Sequence, residues 1–146
     1  MKFTTEIVVN LPRERMIELF DNPDNMPKWQ HGLKSFEPIS GEPGQTGAKS
    51  RLKYDMNGRV IEMVETIETR NLPDEFSGIY EARGVWNRVE NRFFEDGADK
   101  TRWIATTEFK FSGWMTKIMG FLMPFAFRRQ SRKFMEDFKT FAESEG

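Results

Sequence analysis

Cysteine is absent from this 146-residue chain, and histidine occurs once. The lack of cysteine excludes a disulfide scaffold, a thiolate zinc site, a cysteine nucleophile and a cysteine-bound iron–sulfur cluster. The one histidine, His31, lies in a predicted surface loop, and no second histidine or cysteine is present to complete a metal site. We therefore expect no metal ion and no cofactor, and we assign no catalytic residue from these residue types.

An excess of charge of either sign is also missing, because 22 Lys and Arg residues stand against 23 Asp and Glu residues. The net charge of −1 gives no electrostatic reason to expect a nucleic-acid partner. Basic residues do cluster at 128–133, but acidic residues follow them closely, which is typical of a solvated helix face. We expect no nucleic acid to bind.

Long hydrophobic runs are missing as well. The most apolar stretch, Trp114–Phe127, is interrupted by Lys117, Gly120 and Pro124 and is too short to span a bilayer. The N-terminus turns polar at once and lacks the apolar segment of a secretory signal. With 38% hydrophobic and 31% charged residues, the sequence predicts one cytoplasmic domain over residues 1–146.

The apolar residues that are present are rich in flat and deformable side chains, with 14 Phe, 9 Met and 4 Trp. Such side chains suit an adaptable binding pocket. They also dominate ordinary protein cores. Composition therefore leaves a pocket and a bulky core open as alternatives.

The N-terminal segment predicts a strand followed by two helices. Phe3–Val9 alternates with β-branched residues and reads as a strand. Asn10 as a capping residue and Pro12 in the first turn then indicate a helix that continues to about Phe20. A short second helix is expected over Asp24–Trp29.

Turn residues divide the middle of the chain into an antiparallel sheet. Asn57-Gly58 and Arg83-Gly84 can form two-residue hairpin turns, and a longer turn is expected at residues 96–99. The predicted strands between these turns are Leu33–Ile39, Ala48–Asp55, Arg59–Thr69, Glu75–Ala82, Val85–Phe94 and Thr101–Phe111.

Alternation in the last three strands predicts which side chains face inward. Phe109 and Phe111 alternate with charged residues, so the odd-numbered residues of the last strand face the interior. If the pairing across both turns has no one-residue slip, the inward row of the last strand continues onto the two strands before it. The inward residues of those strands are then Phe76, Gly78, Tyr80, Ala82, Val85, Asn87, Val89, Asn91 and Phe93. Because several of these are polar, a cavity is favoured over a dry core, and we expect Asn91 to carry an unpaired amide that faces it.

The facing of Arg59–Thr69 stays open, because Val60 and Val64 form one apolar row and a second row lies on the other face. This strand also carries several glutamates. An inward glutamate could act as an acid or base, but a solvated face is the favoured interpretation for Glu62, Glu65 and Glu68.

The C-terminal segment predicts a long amphipathic helix. Aromatic residues recur at helical spacing from Phe127 to Phe141, with charged residues on the other faces. Pro124 predicts a bend or a break in this helix, since proline removes one helical hydrogen bond. The part before it, Trp114–Met123, could then act as a gate.

The order of these elements resembles the START-like or Bet v1-like superfamily, also called SRPBCC or polyketide cyclase-like proteins. The resemblance is carried by the opening stretch Ile7–Pro23 with Met26-Pro27-Lys28-Trp29, and by the closing segment from Asp96 through Trp103 to the terminal helix. It implies an α+β helix-grip fold: a curved antiparallel sheet of about seven strands, two short helices after the first strand, and a long C-terminal helix that closes a cavity. It implies function only broadly.

From this resemblance and the inward set we predict that the chain binds a small hydrophobic molecule, such as a lipid, an aromatic or a polyketide-like compound. The predicted ligand-binding residues are Trp29, Phe76, Tyr80, Asn87, Val89, Asn91, Trp103, Thr107, Phe109, Met119 and Met123. One alternative is a cyclase or dehydratase-like enzyme in which Tyr80 donates a proton and Asn87 and Asn91 hold carbonyl groups. A second alternative is a membrane-surface or protein-partner module, and homodimerisation is left open.

Overall fold

The chain folds as one antiparallel sheet with two short helices and one long helix. The structure is a computed structural model that describes residues 1–56 and 58–146, and the side chains of residues 56 and 115–124 lie outside the description. The elements in chain order are β1 (Lys2–Val9), α1 (Arg13–Asp21), a single 3₁₀ turn (Pro23–Asn25), α2 (Met26–Trp29), β2 (Leu33–Ser40), β3 (Lys49–Met56), β4 (Arg59–Asn71), β5 (Glu75–Ala82), β6 (Val85–Glu95), β7 (Thr101–Phe111) and α3 (Met115–Glu145). The predicted α+β helix-grip fold is confirmed, and each predicted strand ends within about two residues of the observed one.

The seven strands are ordered β1-β7-β6-β5-β4-β3-β2, so the first two strands form the opposite edges of the sheet. The connection through α1 and α2 crosses from one edge to the other. α3 packs mainly on β1, β7 and α2. In the part of the chain that the structure describes, no helix is both long and apolar enough to cross a membrane.

Helix α1 begins differently from the prediction but ends within one residue of it, at Asp21. Pro12 occupies the N-cap position and no side chain caps the helix, so the predicted cap by Asn10 is wrong. The backbone N–H of Asn10 instead donates to the Glu143 carboxylate of α3 at 2.9 Å. At the other end, Asn22 leaves the helical region, and Asp21 accepts two hydrogen bonds from Arg70 of β4, at 2.7 and 2.5 Å. This bidentate pair ties α1 to the sheet.

The predicted register of the last three strands is confirmed. Phe93 lies opposite Trp103, and Asn87 lies opposite both Phe109 and Tyr80. The inward row is therefore the one that the alternation indicates. On β4 the odd-numbered residues as far as Ile67 share this face, because Glu65 pairs directly with Tyr80 and Ile67 with Gly78.

Aromatic rings fill one end of the interior. Phe20 of α1 lies edge-on to Phe93, Trp103 and Phe138 at centroid distances of 5.2, 5.7 and 5.7 Å. Trp29 contacts Phe138 at 5.0 Å. Edge-to-face contacts of this kind stabilise a core beyond the area that they bury. We call these five residues the aromatic cluster.

Asn91 belongs to this packed region. Its side chain is 7% exposed, and its Oδ1 accepts a hydrogen bond of 2.9 Å from the indole N–H of Trp103. The expectation of an inward side chain is confirmed, but the expectation of an unpaired amide is wrong. The amide satisfies a buried tryptophan that would otherwise lack an acceptor.

The predictions for the first part of α3 fall on side chains outside the described residues. They concern Met119 and Met123 as ligand contacts, which stay predictions. The predicted break at Pro124 is wrong, because α3 is one helix from Met115 to Glu145, and a bend there stays a prediction. In the rest of the helix, Met135 and Phe138 are buried against the sheet. Lys133 pairs with Asp137 on another face at 2.8 Å.

We predict that Asn91→Leu destabilises the domain by about 1–3 kcal/mol, because the Trp103 N–H is left buried without an acceptor. Chemical denaturation measures this change in the free energy of unfolding. In a Trp103→Phe background, which has no indole N–H, the cost of Asn91→Leu should fall by roughly 1 kcal/mol. Equal destabilisation by Asn91→Leu in the two backgrounds would contradict the hydrogen bond between Asn91 and Trp103.

Candidate ligand-binding site

The inner face of the sheet has a packed half and an open half. The packed half holds the aromatic cluster, in which Trp29 is 3% and Trp103 1% exposed. The open half holds inward residues that remain partly accessible although they lie on the same side of the sheet as α3; these are Tyr54, Glu65, Tyr80, Val85, Asn87, Val89 and Phe109. A fully packed interior would bury such residues as completely as it buries Trp103.

The position of α3 explains this difference. The helix packs along β1, β7 and α2, where Met135, Phe138 and Ala142 are buried. Nearer its start, Phe127 contacts Phe109 of β7 at a centroid distance of 4.3 Å. The partly accessible inward residues of β3 to β6 lie beyond this line of contact, and they form the wall of the open half.

A polar group interrupts the apolar wall of the open half. It consists of Tyr54 on β3, Glu65 on β4 and Tyr80 on β5, and we call it the Glu65 cluster. Glu65 and Tyr80 are direct cross-strand neighbours. The Tyr54 hydroxyl donates a hydrogen bond of 2.7 Å to Oε1 of Gln30, just after α2. Three strands and the end of a helix thus bring these groups together.

The ionisation of the Glu65 cluster is shifted by its surroundings. Burial raises the pKa of Glu65 above its ordinary value of 4.5, and hydrogen bonding to Tyr80 offsets part of this effect. Burial, followed by the nearby Glu65 carboxylate, raises the pKa of both Tyr54 and Tyr80. The two phenols therefore stay protonated at neutral pH and can donate hydrogen bonds.

Gly78 allows Tyr80 to lie along the sheet. A Cβ atom at position 78 would lie 3.2 Å from the Tyr80 hydroxyl oxygen and 3.3 Å from its ring. Any larger residue would push the ring away from the wall. Gly78 lies between Ile67 and Val89 in the register, and the Tyr80 ring fills the space that its missing side chain leaves.

Polar groups elsewhere on the inner face differ in whether they have a hydrogen-bond partner. The Asn87 amide donates to the backbone carbonyl of Glu108 at 3.0 Å, so it is not free to hold a substrate carbonyl through that N–H. The Thr107 hydroxyl and the Trp29 indole N–H are buried without a partner among the described residues. Buried polar atoms normally have a partner, so a bound molecule or a water is expected beside each of them.

The predicted site residues thus fall into three groups. Tyr80, Asn87, Val89 and Phe109 line the open half. Trp29, Asn91, Trp103 and Thr107 are buried, and Phe76 contacts the edge of the Phe20 ring at 6.0 Å. Met119 and Met123 lie outside the described side chains. His31 is exposed, as expected of a loop residue.

Two functional candidates were missed by the sequence interpretation, Tyr54 and Glu65. The favoured interpretation placed Glu65 on a solvated strand face, whereas the structure turns it inward opposite Tyr80. Glu62 and Glu68 do lie toward the outer face, where they pair with Arg51 and Arg88.

Comparison with known proteins supports the fold. A conserved protein from Geobacillus kaustophilus has a TM-score of 0.82 at 12% identity, over 99% of this chain and 96% of that one. An aromatase/cyclase from Streptomyces has a TM-score of 0.77 at 16% identity, over 98% and 93%. Norcoclaurine synthase from Thalictrum flavum, in complex with dopamine and hydroxybenzaldehyde, has a TM-score of 0.74 at 14% identity, over 100% and 88%. At these identities the likeness shows the fold alone.

No curated protein matches the sequence. A family does match, because residues 1–143 fit the polyketide cyclase / dehydrase and lipid transport family. The match covers the sheet, both short helices and nearly all of α3. The chain therefore belongs to this family, within the SRPBCC superfamily that its sequence resembles.

Proposed function

We propose that this protein binds a small apolar molecule in the open half of its inner face, with the polar group of the ligand directed at the Glu65 cluster. The observation that carries the proposal is the partial exposure of inward residues such as Tyr80, Val89 and Phe109 on a wall that faces α3. A wall that is mostly apolar with a few convergent polar groups is typical of small-molecule sites. Membership of a family that includes lipid transport supports the same conclusion.

The wall supplies two kinds of contact. Val89 and Phe109 offer apolar surface, which binds a ligand roughly in proportion to the area removed from water. The Tyr54 and Tyr80 hydroxyls donate to Gln30 and Glu65, so their oxygens remain to accept a hydrogen bond from a polar group of the ligand. Because the aromatic cluster fills the other half, a ligand occupies the open half without unfolding the core.

Catalysis is a second candidate, favoured by the direct pairing of Glu65 with Tyr80. In a dehydration, ionised Glu65 would take the α-proton of a β-hydroxy carbonyl compound while Tyr80 protonates the departing hydroxyl, which leaves as water. The two Asn residues are weaker candidates for holding carbonyls, since Asn91 accepts from Trp103 and Asn87 donates to the backbone. Acid–base groups in such positions contribute roughly 10²–10⁴-fold to a rate.

The binding function is tested by filling the open half. Val89→Trp should weaken binding of the neutral fluorescent probe N-phenyl-naphthylamine by about tenfold or more, because the indole occupies the ligand space. The free energy of unfolding should change by less than the roughly 1–3 kcal/mol that overpacking of a filled core costs. Fluorescence titration and denaturation measure the two effects.

The matched control is Val60→Trp, at a position that is 67% exposed on the other face of the sheet. It should bind the probe as the wild type does. Equal binding by both variants, or no binding by the wild type, would contradict the proposed site.

The catalytic candidate is tested with a β-hydroxy thioester substrate and product analysis by mass spectrometry. If the pair is catalytic, Tyr80→Phe lowers the dehydration rate by roughly 10²-fold or more, while Tyr54→Phe has a smaller effect. Full recovery of intact substrate after incubation with the wild-type protein would leave binding as the function for this substrate class.

The raised pKa of Glu65 also predicts a pH dependence of stability. An acid whose pKa is higher in the folded state stabilises the fold below about pH 4.5 and destabilises it as the pH rises through the folded-state pKa. Glu65→Gln, which cannot ionise, should therefore melt at a higher temperature than the wild type at pH 8. The difference should shrink as the pH falls toward about 4. Thermal melts that show a constant offset between pH 4 and 8 would contradict the inward placement of an ionisable Glu65.

A further inference from the structure

Glu65 differs from the other glutamates of its strand in having no cationic partner. Glu62 pairs with Arg51 at 2.8 Å, and Glu68 pairs with Arg88 at 2.7 Å, both on the outer face. Among the described residues no Lys or Arg forms an ion pair with Glu65, whose polar neighbours are phenols. The outer carboxylates of this strand are thus neutralised by arginine side chains, whereas the inner carboxylate has no cationic partner among the described residues.

An uncompensated carboxylate in an apolar wall is costly for a structural role. A charge removed from water is stabilised only by a partner of opposite charge and by hydrogen bonds. Tyr80 supplies a hydrogen bond but no charge. A ligand that brings a positive charge would complete the site, whereas an anionic ligand would be repelled by it.

The surroundings of Glu65 also suit an ammonium group. Tyr80 lies directly opposite Glu65 on β5, and Tyr54 lies on β3, four residues beyond Ser50, which is opposite Glu65. The Glu65 carboxylate is still near enough to raise the pKa of Tyr54. The faces of aromatic rings attract cations, and the attraction grows when water is excluded. Carboxylate and ring faces in one apolar wall therefore favour a cation that carries an apolar body.

We propose that Glu65, with Tyr80 directly opposite it and Tyr54 farther along β3, is the recognition site for the protonated amine of an apolar ligand, an inference that rests on the proposed binding function. The ammonium group donates hydrogen bonds to the Glu65 carboxylate, and the apolar part of the ligand lies against Val89 and Phe109. The ligand class is thus a hydrophobic amine. A fatty acid, which has the same apolar part and the opposite charge, is disfavoured.

The test compares three ligands of one chain length, nonylamine, nonanol and nonanoate, by calorimetric titration at pH 7.5. We expect nonylamine to bind about tenfold or more tighter than nonanol, and nonanoate to bind most weakly. Glu65→Gln should remove the preference for the amine, so that nonylamine and nonanol bind this variant with affinities equal within about twofold. The control Glu62→Gln, on the same strand but the outer face, should keep the wild-type order.

The outcomes separate this inference from the proposed function. Nonanol binding without a preference for the amine overturns the amine site and leaves the apolar site standing. Failure of all three ligands to bind overturns both. A preference for nonylamine that survives in Glu65→Gln overturns the role of Glu65, since another group then recognises the amine.

Discussion

One helix cannot cover the whole concave face of a seven-stranded sheet, and the aromatic cluster decides which part it covers. Phe138 fixes α3 against Phe20 and Trp29, at the end of the sheet where α1 and α2 also pack. The helix then follows β1 and β7. Because this contact is made by large aromatic side chains, part of the inner face of β3 to β6 stays partly accessible, at residues such as Glu65, Tyr80 and Val89.

One half of the inner face stabilises the fold and the other half holds the candidate site. This difference explains how a site that lowers stability can exist in a stable domain. The packed half satisfies its polar groups internally, as when Asn91 accepts from Trp103. The open half holds Glu65, whose raised pKa shows that its ionised form is disfavoured there. Groups of this kind cluster at functional sites, because they are retained for what they bind and not for what they stabilise.

Most of the fold could be predicted from the sequence, because the relevant signals are local. Turn glycines marked the hairpins, and strict alternation in β7 fixed the inward row of three strands. The facing of β4 could not be obtained in this way. Its pairing with β5 shifts at a bulge between Ile67 and Thr69. Such a bulge interrupts the alternation of side chains between the two faces, so the facing of β5 cannot be extended to β4 from the sequence.

The candidate site was therefore predicted in part. Tyr80, Asn87, Val89 and Phe109 were placed on the inner wall by alternation, whereas Glu65 and Tyr54 required the long-range pairing of β3, β4 and β5. The hydrogen-bond partner of Asn91 could not be predicted either, because the sequence does not show that a tryptophan on the next strand donates to it. Local patterns give the face of a residue, and only tertiary contacts give its partner.

The proposed function depends most on where a bound apolar molecule lies. Nuclear Overhauser contacts between the neutral probe N-phenyl-naphthylamine and the protein measure this directly. If the probe lies in the open half, contacts are expected from it to the rings of Tyr80 and Phe109 and to the methyl groups of Val89. Contacts confined to the outer face of the sheet, or insertion of the probe among Trp103, Phe93 and Phe138, would contradict it.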